Sequence, residues 1–142
     1  MKRVVVPGME KAPFLCGVVD DVYTAAECAA LIARANAKGW SPALINVGGG
    51  EQAYEPSARN NSRCMIDDFE FAADMFKRIE QHVPKCRVNA RKGIQPVLGI
   101  NERLRILKYG PGEYFKPHYD RKYQDAVSES VFTVQLNLHD VF

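Results

Sequence analysis

Residues 103–138 contain three apolar-rich runs, RLRILKY, EYFKPHYD and SVFTVQLNL, with Gly110-Pro111-Gly112 between the first two. Two strands joined by so short a turn can pair only antiparallel, because a parallel pair needs a crossover of a dozen residues or more. The third run alternates. Phe132, Val134, Leu136 and Leu138 project one way and Thr133, Gln135 and Asn137 the other. The polar set either faces water, as in many antiparallel sheets, or lines a site.

Upstream the periodicity changes from two to that of a helix. In TAAECAALIARANAKG, Thr24 and Glu27 fit a capping box, and Cys28, Leu31, Ile32 and Ala35 share a face. Lys38 and Gly39 end the pattern, so a helix is expected over about 25–38. A second helix is expected over about 68–82. Asp67 or Asp68 caps it, Ala72, Met75, Phe76, Ile79 and Val83 form its apolar stripe, and Pro84 stops it. FLCGVVDDVY reads as a short strand running into a loop, and WSPALINV as a strand. GGGEQAYEPSARNNSR reads as a long loop, and PKCRVNARK (85–92) as a solvated basic loop or, second, a polyanion contact. Helices followed by strands with short connections give an α+β expectation with a β sandwich or roll.

A length of 142 residues suits one domain with a real core, here 1–142. A charge of +2 argues for neither a nucleic-acid nor a membrane partner. MKRVVVPGMEK has three valines before its proline, well short of the roughly 7–15 apolar residues of a secretory signal. No run approaches the roughly 20 apolar residues of a membrane span. A soluble, cytoplasmic protein with Cys16, Cys28, Cys64 and Cys86 reduced is therefore expected.

The second of the three runs ends in His118-Tyr119-Asp120. On a strand, residues i and i+2 share a face, so the imidazole and the carboxylate become neighbours. Such a pair offers two cis donors to one metal, two-thirds of the 2-His-1-carboxylate set of non-haem Fe(II) oxygenases. Without further context the same pair is an ordinary surface hydrogen bond.

NERLRILKYGPGEYFKPHYD followed by FTVQLNL resembles the prolyl 4-hydroxylase-like branch of the 2-oxoglutarate and Fe(II)-dependent dioxygenases. Tyr109, Gly110, Gly112, His118 and Asp120 match its tyrosine, glycine turn and H-x-D. YTAAECAALIARANAKGW is similar to the helix that precedes its catalytic roll. The resemblance implies N-terminal helices packed on a double-stranded β-helix, a jelly roll, with a support region over about 1–95 and the roll beginning over about 96–142. It implies Fe(II) on His118 and Asp120, and the Tyr109 hydroxyl on the distal carboxylate of 2-oxoglutarate. Gln135 and Asn137 would face the cavity, and Arg63 and Glu102 the substrate. Taken alone, Tyr109 is equally a core aromatic with a wet hydroxyl. The implied reaction consumes O₂ and 2-oxoglutarate, releases succinate and CO₂, and hydroxylates a C–H bond of a prolyl or other peptidyl residue, with ascorbate in support.

The family places its third iron ligand, a histidine, far downstream and a Lys or Arg for the co-substrate beyond it, and usually continues after the strand that matches 130–138 into a Gly-Gly-x-Thr segment. His82 lies on the second expected helix, and His139 stands where the family usually has a loop residue such as asparagine. The sequence thus reads as the front part of such a domain, about three of eight strands. The alternative is a catalytically incomplete chain that acts, if at all, by association through an open strand edge. A metal hydrolase using the same pair is a third reading, which the Tyr109 context disfavours.

Overall fold

A computed structural model describes residues 1–3, 16–48, 51–89, 93–120, 122–124 and 128–139. The fold is α+β, with two α-helices and small antiparallel sheets. Two compact units interleave along the chain, the first made of residues 1–24 and 67–104, the second of 25–66 and 105–142.

In the first unit, β1 (Lys2–Arg3) pairs with β2 (Gly17–Val18). Of the expected strand FLCGVVDDVY only β2 forms, and Phe14 and Leu15 lie outside the described residues. The unit's helix is Phe69–Ile79. Asp68 is its N-cap, with Oδ1 accepting the Phe71 N–H at 2.8 Å. The helix buries Ala72, Met75 and Ile79, while Phe76 and Val83 are half-buried. It gives way to a 3₁₀ turn, Glu80–His82, rather than running on as α-helix to residue 82. The aromatic side of this unit is Tyr23 stacked on Phe71 at 5.3 Å, with the Arg78 guanidinium 4.1 Å over the Tyr23 ring.

The basic stretch expected as a loop is part of a hairpin. Strand Cys86–Asn89 pairs with Gly93–Pro96 in unbroken register from Cys86↔Pro96 to Asn89↔Gly93. Cys86 and Val88 alternate with Arg87 and Asn89, a signal for a strand too short to stand out against the neighbouring Lys85, Arg91 and Lys92.

In the second unit α1 spans Ala25–Lys38, as the spacing predicts. It buries Leu31 and Ala35, with Cys28 and Ile32 half-buried. Gly39 closes it at φ +96°, donating to the Ala35 carbonyl at 3.0 Å. Next come β3 (Ser41–Pro42) and the hairpin of β4 (Ile45–Gly48) with β5 (Glu51–Ala53). WSPALINV is thus two short strands, and the supposed long loop holds β5 and the start of β6 (Ser62–Asp67). The last strand, β9 (Arg103–Lys108), completes a three-stranded sheet in the order β3–β6–β9, the hairpin strands above being β7 and β8. Cys64 and Ile66 are buried on β6 and Ile106 on β9, in alternation with exposed or half-exposed Arg63, Met65, Arg105 and Leu107.

The two runs after β9 do not form the expected strands. Residues 113–120 contribute a single bridge, Phe115 opposite Arg59. Pro117 has no N–H to extend the ladder, and the Lys116 carbonyl is taken by the His118 ring. Residues 130–138 form no ladder among the described residues. Among the described residues their backbone pairing is that of Ser130, whose N–H donates to the Tyr123 carbonyl at 2.8 Å, next to the bridge Gln124↔Glu129. Phe132 and Val134 remain 39% and 42% exposed, while Leu136 and Leu138 are half-buried, so the first half of this apolar set is open.

Candidate metal centre

The candidate site is built on the crossing of 58–60 with 114–116. Asn60 N–H donates to the Tyr114 carbonyl, and Lys116 N–H to the Ala58 carbonyl, at 3.1 and 3.0 Å. The Tyr114 hydroxyl reaches the Pro56 carbonyl at 3.0 Å, and Asn60 Oδ1 accepts the Tyr114 N–H at 2.7 Å. This frame carries Phe115, on which the His118 ring stacks with centroids 3.6 Å apart.

His118 and Asp120 come together. Nε2 lies 3.4 Å from Asp120 Oδ1. His118 Nδ1 lies 2.9 Å from the Lys116 carbonyl, which can only accept, so this nitrogen carries a proton. In the neutral ring Nε2 then presents a lone pair to a carboxylate oxygen. Two lone pairs at that distance repel unless a proton or a cation stands between them. The pair is therefore an imidazolium–carboxylate contact or two donors for one cation. The geometry fits the second use. Two donors each about 2.1 Å from a metal and separated by this distance subtend roughly 108°, between the octahedral and tetrahedral angles. A backbone carbonyl on the far ring nitrogen is also the usual way a metal-binding histidine is held.

Asp120 is fixed through its other oxygen, Oδ2, which accepts from Thr133 Oγ1 at 2.7 Å. Beyond Thr133 the polar alternates continue, with Gln135 Nε2 donating to Asn137 Oδ1 at 3.2 Å. Gln135 and Asn137 therefore contact each other, while Thr133 reaches the acid. The same alternation that drew attention to those two could have found it. All five of these side chains are exposed. Among the described residues no third His, Cys, Asp or Glu joins His118 and Asp120.

Tyr109 follows β9 and is 47% exposed, with no hydrogen bond from its hydroxyl among the described residues. Arg63 lies on β6, where Nη2 donates to Gln52 Oε1 at 3.0 Å. Burial, followed by the charges of Arg59 and Arg105, pulls the Arg63 pKa below its ordinary value. Glu102 belongs to the first unit, and its carbonyl accepts the Asp68 N–H at 2.8 Å.

Sequence reasoning missed Arg59. It is only 8% exposed, its guanidinium carbon lies 3.9 Å over the Phe115 ring, and its Nε donates to Asn61 Oδ1 at 3.0 Å. Asn61, 1% exposed, completes its own bonding by donating Nδ2 to the Ser62 carbonyl at 3.0 Å. A run of polar residues such as SARNNSR gives no apolar pattern by which burial could have been read.

No protein-family model, curated protein or solved structure matches this chain.

Proposed function

We propose that this chain is an Fe(II)- and 2-oxoglutarate-dependent dioxygenase that hydroxylates a C–H bond of a prolyl or other peptidyl residue. The observation that carries this reading is the approach of His118 Nε2 to Asp120 Oδ1 at 3.4 Å, with Nδ1 anchored on a backbone carbonyl. The Tyr-Gly-Pro-Gly turn before the pair and the Thr-x-Gln-x-Asn alternation after it support the same reading. Its finer fold would be the front of a jelly roll.

His118 and Asp120 would hold Fe(II), which when bound supplies O₂ activation coupled to the decarboxylation of 2-oxoglutarate. Thr133 keeps one carboxylate oxygen of Asp120 occupied, so the other points at His118. The Tyr109 hydroxyl is available to the distal carboxylate of the co-substrate. Gln135 and Asn137 would supply amide donors and acceptors on the same polar run as Thr133, and Arg63, in the same unit, would be a substrate-side charge. Ascorbate would keep the metal ferrous, in a reducing, cytoplasmic setting that also suits four free thiols.

A second reading is favoured by the open run 130–138. Here the chain binds metal weakly, turns nothing over, and works by association through that edge. One experiment separates the two: anaerobic Fe(II) titration of the chain and of His118→Ala, followed by succinate release with 2-oxoglutarate, ascorbate and O₂. Metal uptake and succinate formation, both lost in His118→Ala, support the enzyme. Metal uptake without succinate moves the reading to the second. Equal Fe(II) affinity in the two proteins ends both.

A further inference from the structure

Arg59, Asn61 and Arg63 alternate along one extended segment, and Arg105 lies on β9, a neighbour of β6 in the sheet. Arg59 is gripped by Asn61, and Arg63 by Gln52, whose own Nε2 is tied to Asn46 Oδ1 at 3.0 Å. Each grip leaves a donor over. Arg59 Nη2 and Arg63 Nε are buried and, among the described residues, have no hydrogen-bond partner. Among the described residues, no carboxylate forms an ion pair with Arg59, Arg63 or Arg105.

Buried cationic donors without partners are costly, and natural proteins keep few of them. Burial first, then the like charges of Arg59 and Arg105, hold the Arg63 pKa down and add to that cost. An oxyanion removes both penalties at once, because guanidinium N–H groups fit carboxylate oxygens in direction and charge. Arg59 and His118 both stack on Phe115, at 3.9 and 3.6 Å, so such an anion sits one aromatic ring away from the candidate metal donors.

We propose that Arg59, Arg63 and Arg105 form an anion site that takes a side-chain carboxylate of an acidic peptide, which places the peptide beside His118. Arg59 and Arg63 give the two unpaired donors, and exposed Arg105 adds a third positive charge. As a statement about substrate, this rests on the hydroxylase reading. As a statement about binding, it does not need the metal.

The test uses fluorescence anisotropy with labelled peptides of equal length, one rich in glutamate and one with glutamine in its place, without metal. The glutamate peptide is expected to bind, the glutamine peptide at least roughly tenfold more weakly, since each lost charge-assisted bond is worth about a factor of ten or more. Arg63→Gln and Arg105→Gln should each weaken the glutamate peptide by a similar factor. Arg34→Gln, which removes a positive charge from exposed α1, should leave it unchanged. Arg105 is exposed, so its variant stays informative even if replacement of Arg59 or Arg63 impairs folding. Equal binding of the two peptides, or an equal loss in Arg34→Gln, overturns the site. Repeating the assay in His118→Ala separates the two proposals. Retained peptide binding with lost Fe(II) uptake is expected, and peptide binding lost with the imidazole would overturn an arginine-built site.

Discussion

Thr133 Oγ1 donates to Asp120 Oδ2 at 2.7 Å and joins residues 13 apart in the chain. The bond fixes the rotation of the carboxylate, so that Oδ1 is the oxygen that faces His118 Nε2. A partner of this kind usually contributes 10–100-fold to metal affinity. Thr133→Val, which keeps the shape and removes the hydroxyl, should weaken Fe(II) or Mn(II) binding by about that factor. Thr133→Ser should restore most of it. Equal affinity in Thr133→Val would show that Asp120 is oriented by something else.

Arg59 gives a prediction about stability. Its guanidinium lies on Phe115 and its Nε satisfies the buried amide of Asn61. Arg59→Ala strands that amide oxygen, at about 1–3 kcal/mol, and removes a stacking contact of about 0.5–2 kcal/mol. A total loss of roughly 2–4 kcal/mol in urea unfolding is expected, with a change in the His118 ring resonances by NMR. A loss under about 0.5 kcal/mol would mean that the unpaired Nη2 already cancels what the stack contributes.

The helices were legible because each carried its own punctuation. Thr24, Lys38 and Gly39 bracket α1, and Asp68 and Pro84 bracket the second helix, in which only the last turn tightened. The nearness of His118 and Asp120 was also legible, although it survives without the strand that suggested it. Pro117 breaks the ladder, and the bond from the imidazole to the Lys116 carbonyl sets the ring instead. The rest was hidden for two reasons. Arg59 and Asn61 are buried polar residues, and hydrophobic periodicity carries no information about them. The pairing of 58–60 with 114–116 spans more than fifty residues, and nothing local in either segment specifies its partner.

Glu55 connects this crossing to pH. Its carboxylate accepts from Ser57 Oγ at 2.6 Å and from Ser57 N at 3.1 Å, and its carbonyl accepts the Arg59 N–H at 3.1 Å. The Ser57 side-chain bond first, the Ser57 backbone bond next and the charge of Lys116 last hold its pKa below the ordinary 4.5, against a small opposing effect of burial. A depressed carboxyl pKa stabilises the fold above the unfolded-state value, and that contribution is lost as pH falls through the folded-state value. The difference in Tm between the native chain and Glu55→Gln should therefore be constant from neutral pH down to about pH 5 and close below pH 4. The native protein should be the more stable at the upper end. A difference that persists unchanged at pH 3 would mean that Glu55 acts through its shape alone.

The open run 130–138 predicts how the chain behaves at high concentration. Its backbone makes no ladder among the described residues, and Phe132 and Val134 are 39% and 42% exposed. An extended edge with unpaired N–H and C=O groups and apolar side chains is a template for another strand. Natural edges are usually protected by an inward or outward lysine, which makes pairing cost the burial of a charge. Lys122, a cation next to this run, is already paired with Glu129 at 3.1 Å. Sedimentation velocity of residues 1–142 should therefore show concentration-dependent association at tens of micromolar. Val134→Lys, on the apolar side and away from His118 and Asp120, should return the chain to monomer without changing Fe(II) affinity. Phe132→Lys should do the same. If both variants associate as the native chain does, the contact lies elsewhere on the molecule. If either one loses metal as well as association, the edge and the donor pair form one site, and the association reading merges with the enzymatic one.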